Sequence, residues 1–370
     1  MRPFFVLWQG VKGAQNRFGK NPPAAERCMF QPVTKIELSI CSRRIKPVAN
    51  QNHRPICGHR GILQNTIRNS VSFEGVGLHS GEPARLVLRP APVDHGVVFY
   101  RVDADDAEIP ARWDLVRQSP LCTRLENDEG VSVSTVEHVM AALMGCGIHN
   151  VIVDVDGPEV PILDGSSAAF VRGILATGIA PQGEPVKALR VLKPVEVQKG
   201  QARARLVPHD TLLIEFSIQF EDAAIGHQRK MLNMSNGSFV RELSTSRTFC
   251  RKADVDTMRA NGLALGGTLE NAVVVDGEKV LSPGGLRHAD EAVRHKMLDA
   301  LGDLALAGGP ILGRYVGERA GHALTNTLLR ALFAEPGAVR AVACDAAMTA
   351  RLPGQGLIWS EIPAEQRRVA

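Results

Sequence analysis

Apolar and polar residues settle into regular patterns only near Gln64. Residues 84–88 and 96–102 carry the alternation of half-buried strands. Ser134 and Glu137 have the Ser-x-x-Glu spacing of a capping box. The run from His138 to Met144 behind them predicts a helix that Gly145 and Gly147 end. Residues 150–155 predict a strand closed by Gly157-Pro158. Asp164-Gly165-Ser166-Ser167 then predicts the cap of a helix over 168–176.

Residues 178–185, rich in Gly, Pro, Gln and Glu, predict a linker, after which a similar element order recurs. Residues 202–207 and 212–220 predict a hairpin around Pro208-His209-Asp210. A helix follows over 255–261. Residues 272–275 and 278–281 flank Asp276-Gly277, a strong hairpin turn. Long helices are predicted over 292–306 and 322–333. The pattern therefore predicts an α+β chain of two domains of similar plan, each a sheet with packed helices, over 62–183 and 184–335. Residues 336–370 read as a C-terminal tail. No repeat is visible at the level of residues.

A length of 370 residues suits about two domains. The net charge of +4 conceals an asymmetry. Residues 1–60 hold eleven Lys/Arg and two Asp/Glu, a net of +9, which leaves −5 for the remainder. That segment also holds Gly10, Gly13, Pro22, Pro23, Pro47 and Pro55. Residues 1–61 are thus expected to be a largely disordered basic extension, a transit peptide with few serines, or the product of an early start codon. No function is assigned to them, and no nucleic-acid partner is expected. No apolar run approaches the ~20 residues of a membrane span. The stretch from Pro3 to Trp8 is shorter than the ~7–15 residues of a secretory core. A chain that is not exported and not stably inserted in a membrane is expected. The seven cysteines (Cys28, Cys41, Cys57, Cys122, Cys146, Cys250, Cys344) are scattered without a CxxC pair. This speaks against a disulfide framework or a cysteine zinc site and fits a reducing compartment.

The chemistry concentrates on residues 292–306. At ~100° per residue, Val293, Met297, Leu298, Leu301 and Leu304 form one broad apolar arc, and His295, Asp299 and Asp303 lie together on the other side. An imidazole and a carboxylate four apart are one turn apart on one face. The bland alternative is a solvated face with a local hydrogen bond; the sharper one is a metal site lining a surface or cleft. Three further places bear on the choice. Glu137-His138 pairs a potential ligand with a glutamate already explained as a cap. His322 after Gly321 is alternatively a helix-end residue, and Thr248-Phe249 alternatively a plain strand start. Two histidines, one carboxylate and an open position would make a catalytic zinc set. HExxH and GxSxG are absent, and Gly75 to Gly81 misses GxGxxG by one residue.

Several blocks taken together are highly specific: GVGLHSG (75–81), STVEHVMAAL (134–143), PILDGSSAAF (161–170), SRTFC (246–250), LGGTLENAVVV (265–275), RHKMLDALGDL (294–304) and GHALTN (321–326). With them the chain, from about Gln64 to Phe333, resembles the UDP-3-O-acyl-N-acetylglucosamine deacetylases, zinc amidases of lipid A synthesis. The resemblance implies zinc ligands at His138, His295 and Asp299, Glu137 as general base and His322 as general acid. It also implies Thr248 at the oxyanion, Lys296 and Phe249 at the substrate, and Asp303 orienting His322. The implied fold places the site between the two domains. The implied substrate is a UDP-linked acylated amino sugar, turned over by a cytoplasmic monomer. An acyl-chain insert is implied at about 248–281, with Leu263, Leu265, Val273 and Val274 as lining. The polar run Cys250-Arg251-Lys252 and the N-terminal extension depart from the family pattern. The rival expectations are another zinc hydrolase acting on a different N-acyl sugar, and a non-catalytic sugar-nucleotide or nucleic-acid binder.

Overall fold

In the computed structural model, residues 63–357 are described; the basic segment over 1–61 lies outside them. Six α-helices are present among these residues: α1 (Glu137–Gly145), α2 (Ala168–Thr177), α3 (Lys252–Ala260), α4 (Glu291–Ala305), α5 (His322–Ala334) and α6 (Ala346–Thr349). In the first half, five strands form a mixed sheet in the order Val71–Val76, Pro83–Pro90, Val151–Asp156, Val97–Arg101 and Ala107–Pro110. Val97–Arg101 runs parallel to Val151–Asp156, and the other pairs are antiparallel. In the second half, Ile311–Glu318 is the hub of a larger mixed sheet. It pairs with Ala202–Val207 antiparallel, and with Lys187–Val191 and Leu212–Gln219 parallel. The α+β class and the recurrence of sheet plus helices follow the expectation.

Three local expectations are corrected. Residues 178–185 are not a free linker: Ile179–Pro185 is a strand antiparallel to Leu63–Ile67, each satisfying the other's backbone groups. Residues 202–207 and 212–220 do not form a hairpin with each other. Ile311–Glu318 inserts between them, its small Gly313 and Gly317 lying against Val191 and Phe216. The tail expected over 336–370 is partly structured. Val339–Ala343 adds an antiparallel strand to Lys187–Val191, and Cys344 and Leu352 close a second apolar cluster with Val186, Ala188 and Leu312. The hairpin about Asp276-Gly277 forms as expected.

One continuous apolar core runs through both halves. It takes in Leu86, Phe99 and Val153 from the first sheet, Met140 and Leu143 from α1, Leu298 and Leu301 from α4, and Phe216 and Tyr315 from the second sheet. The principal meeting of the halves is α1 against α4. Gly302 makes it possible: a Cβ there would lie 2.0 Å from the carbonyl oxygen of Glu137. The apolar arc of α4 faces the second sheet as its period demands. Its other face, expected at a surface or cleft, is buried instead, with His295 at 2%, Asp299 at 4% and Asp303 at 3% exposure. The reason is that α1 covers it.

Candidate metal centre and catalytic site

The site is built where the N-terminal turn of α1 meets the middle of α4 and the start of α5. The capping box expected from Ser134 and Glu137 does not form. Ser134 ends a strand, Val136 occupies the cap position, and no side chain caps the helix. Thr135 turns the chain through a positive φ and donates its hydroxyl to Glu159 at 2.7 Å. Glu137 is thereby free of its own helix end. Its Oε2 accepts the backbone N–H of Thr123 at 3.1 Å, and its Oε1 lies 3.7 Å from His322 Nε2.

His138, His295 and Asp299 bring one ligand atom each within 4.8 Å of one another, all three residues buried. Asp299 Oδ1 lies 3.2 Å from His295 Nε2 and 3.7 Å from His138 Nε2, and the two rings stand edge to face. His295 Nδ1 is 3.0 Å from the carbonyl oxygen of Ser246. A carbonyl only accepts, so the hydrogen sits on Nδ1 and the Nε2 lone pair points into the cluster. Burial pulls His138 down to about 3 and lowers His295, so both imidazoles are neutral, as ligands must be. Burial works against charge on Asp299, but its neighbours, the Lys296 and His322 cations among them, outweigh it and hold its carboxyl far below the ordinary range. Lys296 Nζ takes Asp299 Oδ2 at 2.7 Å, while Oδ1 is buried with no donor at all. A buried ionised oxygen without a partner is costly. Two neutral imidazoles and that oxygen fit a divalent cation.

His322 opens α5 without capping it. Its Nδ1 lies 3.0 and 3.2 Å from the two oxygens of Asp303. Burial disfavours its cation, but Asp303 and Glu137 overcome this and raise it to about 9. Glu137 moves the other way for a carboxylate: burial pushes it up to about 7, reinforced by Asp299 and Asp303 against the pull of His322. The two shifts bring a carboxyl raised to about 7 and an imidazole raised to about 9 side by side, with Glu137 Oε1 3.7 Å from His322 Nε2.

Of the nine residues expected in the site, Glu137, His138, His295, Lys296, Asp299, Asp303 and His322 meet in this cluster. Phe249 stands edge-on to His295, with ring centroids 6.2 Å apart. Thr248 adjoins it and links the halves, its N–H donating to the carbonyl of Gly165 at 2.7 Å. Lys296 was expected at the substrate; its ammonium is on Asp299. In the region 248–281, Val273 and Val274 are buried and Leu265 is half exposed. Sequence reasoning missed Thr123 and Ser246. Ser246 acts through a carbonyl that any residue would offer. Thr123 stands in a short segment between Pro120 and Asn127 with no periodic pattern to mark it.

Residues 64–334 match the family model described as UDP-3-O-acyl N-acetylglycosamine deacetylase. Three relatives carry the name UDP-3-O-acyl-N-acetylglucosamine deacetylase. That of Idiomarina loihiensis is 47% identical over 287 residues, covering 77% of this chain and 94% of its own length. That of Shewanella violacea is 46% identical over 280 residues, 75% of this chain and 92% of its own. That of Shewanella oneidensis is 44% identical over 306 residues, 81% of this chain and the whole of its own length.

Proposed function

The chain belongs to the UDP-3-O-acyl N-acetylglycosamine deacetylase family, and we propose that its buried His/Asp cluster works as the zinc centre of that hydrolysis. The substrate is UDP-3-O-(3-hydroxyacyl)-N-acetylglucosamine, and the products are acetate and the free glucosamine amine. The observation that carries the mechanism is the orphaned Asp299 Oδ1 facing two neutral imidazoles, with Glu137 and His322 beside it.

Held by His138, His295 and Asp299, zinc would polarise the acetyl carbonyl and make water acidic enough to lose a proton near neutral pH. Glu137 Oε1 takes that proton as the water oxygen attacks the amide carbon. The hydroxyl of Thr248 supports the oxyanion that develops. The amide C–N bond breaks only if its nitrogen leaves as a neutral amine. His322 supplies the proton from Nε2, while Asp303 at Nδ1 holds the ring and favours its cation. Lys296 keeps Asp299 in place and has two N–H donors left for charged parts of the substrate. Phe249 gives the substrate an apolar contact. We read residues 62–183 and 184–335 as the two domains between which the sugar binds, and about 248–281 as the insert that receives the acyl chain. Among the described residues no helix is long and apolar enough to cross a membrane. We assign the enzyme to lipid A biosynthesis as a cytoplasmic monomer.

The test is release of acetate from the UDP-linked acylated sugar, with and without a chelator, alongside metal analysis of the protein. Zinc-dependent release supports the proposal. Release that survives complete metal removal, or faster hydrolysis of an N-acyl sugar lacking the nucleotide, would overturn it.

A further inference from the structure

We infer that Thr123 is a positioning residue for this reaction, holding the carboxylates of Glu137 and Asp303 at once. The inference rests on the roles proposed above for Glu137, Asp303 and His322.

Thr123 precedes the strand Arg124–Glu126, whose antiparallel pairing with Ser132–Ser134 is extended by a bond from Val136 N–H to the Thr123 carbonyl at 3.4 Å. That register sets the Thr123 amide against the first turn of α1, where it donates to Glu137 Oε2 at 3.1 Å. The hydroxyl points across to α4 and donates to Asp303 Oδ1 at 2.6 Å, a contact between residues 180 positions apart. Thr123 is 3% exposed, so neither bond competes with bulk water.

Each bond does something its partner needs. With Oε2 taken, Oε1 is the Glu137 oxygen left facing His322 Nε2 and the space beside the ligands. The amide therefore selects which oxygen serves as the base. On Asp303, a carboxylate meeting only His322 could swivel about its Cβ–Cγ bond. A second donor, the Thr123 hydroxyl on Oδ1, fixes its plane, and through Nδ1 the aim of the imidazole. One residue thus sets the spacing of base and acid without touching the substrate itself.

The test compares Thr123→Val, which keeps the shape and loses the hydroxyl, with Thr123→Ser, which keeps the hydroxyl. Thr123→Val is expected to lower kcat about 10- to 100-fold with KM within about twofold, and Thr123→Ser to recover most of the rate. In an Asp303→Ala background, Thr123→Val should change kcat by less than about twofold, because its target is already gone. Thr123→Ala serves the same comparison if the valine variant does not fold. A valine variant with wild-type kcat, or one that loses the same factor with and without Asp303, overturns the inference. If Asp303→Ala itself turns over at the wild-type rate, the roles proposed for the site fail instead.

Discussion

Lys296 Nζ lies 2.7 Å from Asp299 Oδ2, one turn along the same helix, and leaves Oδ1 facing His138 and His295 without a donor. The ammonium divides the carboxylate: one oxygen is neutralised by the protein, and the other is the one that would take a cation under the proposed function. Removing the carboxylate removes the only anionic ligand of the three. Asp299→Ala is expected to weaken zinc binding more than about tenfold, read by competition with a fluorescent chelator. Full metal content in the washed variant would refute the ligand assignment.

His322 separates from the ligands in this respect. Its ring is anchored on Asp303, and its Nε2 stands 3.8 Å from Asp299 Oδ2. His322→Ala should retain metal while kcat falls about 10²- to 10⁴-fold, the usual worth of a general acid. Loss of metal and rate together would make His322 part of the metal centre.

The pH dependence has a definite sign. Glu137 must be ionised to accept a proton, so the rate rises as pH climbs through its value of about 7. His322 must be protonated to donate, so the rate falls as pH climbs past about 9. The profile is a bell. A bound dication shifts both limbs towards lower pH and preserves their order. In Glu137→Gln the residual rate should lose the ascending limb. A profile unchanged in shape would exclude Glu137 as the base.

Gly302 fixes the approach of α4 to α1. A methyl group at that position would sit 2.0 Å from the carbonyl oxygen of Glu137, so backbone has to move. Gly302→Ala should cost about 1–3 kcal/mol by overpacking, seen as a lower melting temperature. Displacing Glu137 from His322 by even ~1 Å should also cut kcat up to about 100-fold. Unaltered melting and turnover would show that the helix contact is slack.

The segment beyond the family match carries structure too. Cys344 and Leu352 seal an apolar cluster over Val186, Ala188 and Leu312. Truncation after Glu335 uncovers those side chains, of which Val186 and Leu312 are each worth roughly 1.5–3 kcal/mol when fully buried. The truncated protein should unfold at lower denaturant, and equal midpoints would place its stability elsewhere.

What could be read in the sequence depended on how local the cause was. α4 and α5 were legible because their apolar period lies within the helix. The meeting of His295 and Asp299 was legible because i,i+4 spacing is a local fact. The burial of that pair was not, since it needs α1 to cover a face whose own pattern is polar. The strand Ile311–Glu318 entering between two consecutive strands was hidden for the same reason: pairing partners about a hundred positions apart leave no mark on either segment. Ser134 and Glu137 matched a capping box by spacing alone, and a more distant donor, the Thr123 amide, took the carboxylate. Thr123 itself was silent, because a threonine before a strand looks the same whether or not a carboxylate waits across the cleft.

The bond between Thr123 and Asp303 spans 180 positions, and the ligands likewise come from distant parts of the chain. Closing a loop of that length costs entropy that grows as the logarithm of its length, and contacts of such high contact order form late. The apolar face of α4 can collapse onto its own sheet well before α1 arrives. On refolding, recovery of helical signal should therefore precede recovery of turnover. Under the proposed function the three metal-holding residues, from α1 and α4, come together only when those helices dock, so a bound cation would stabilise that docking as well as take part in the chemistry.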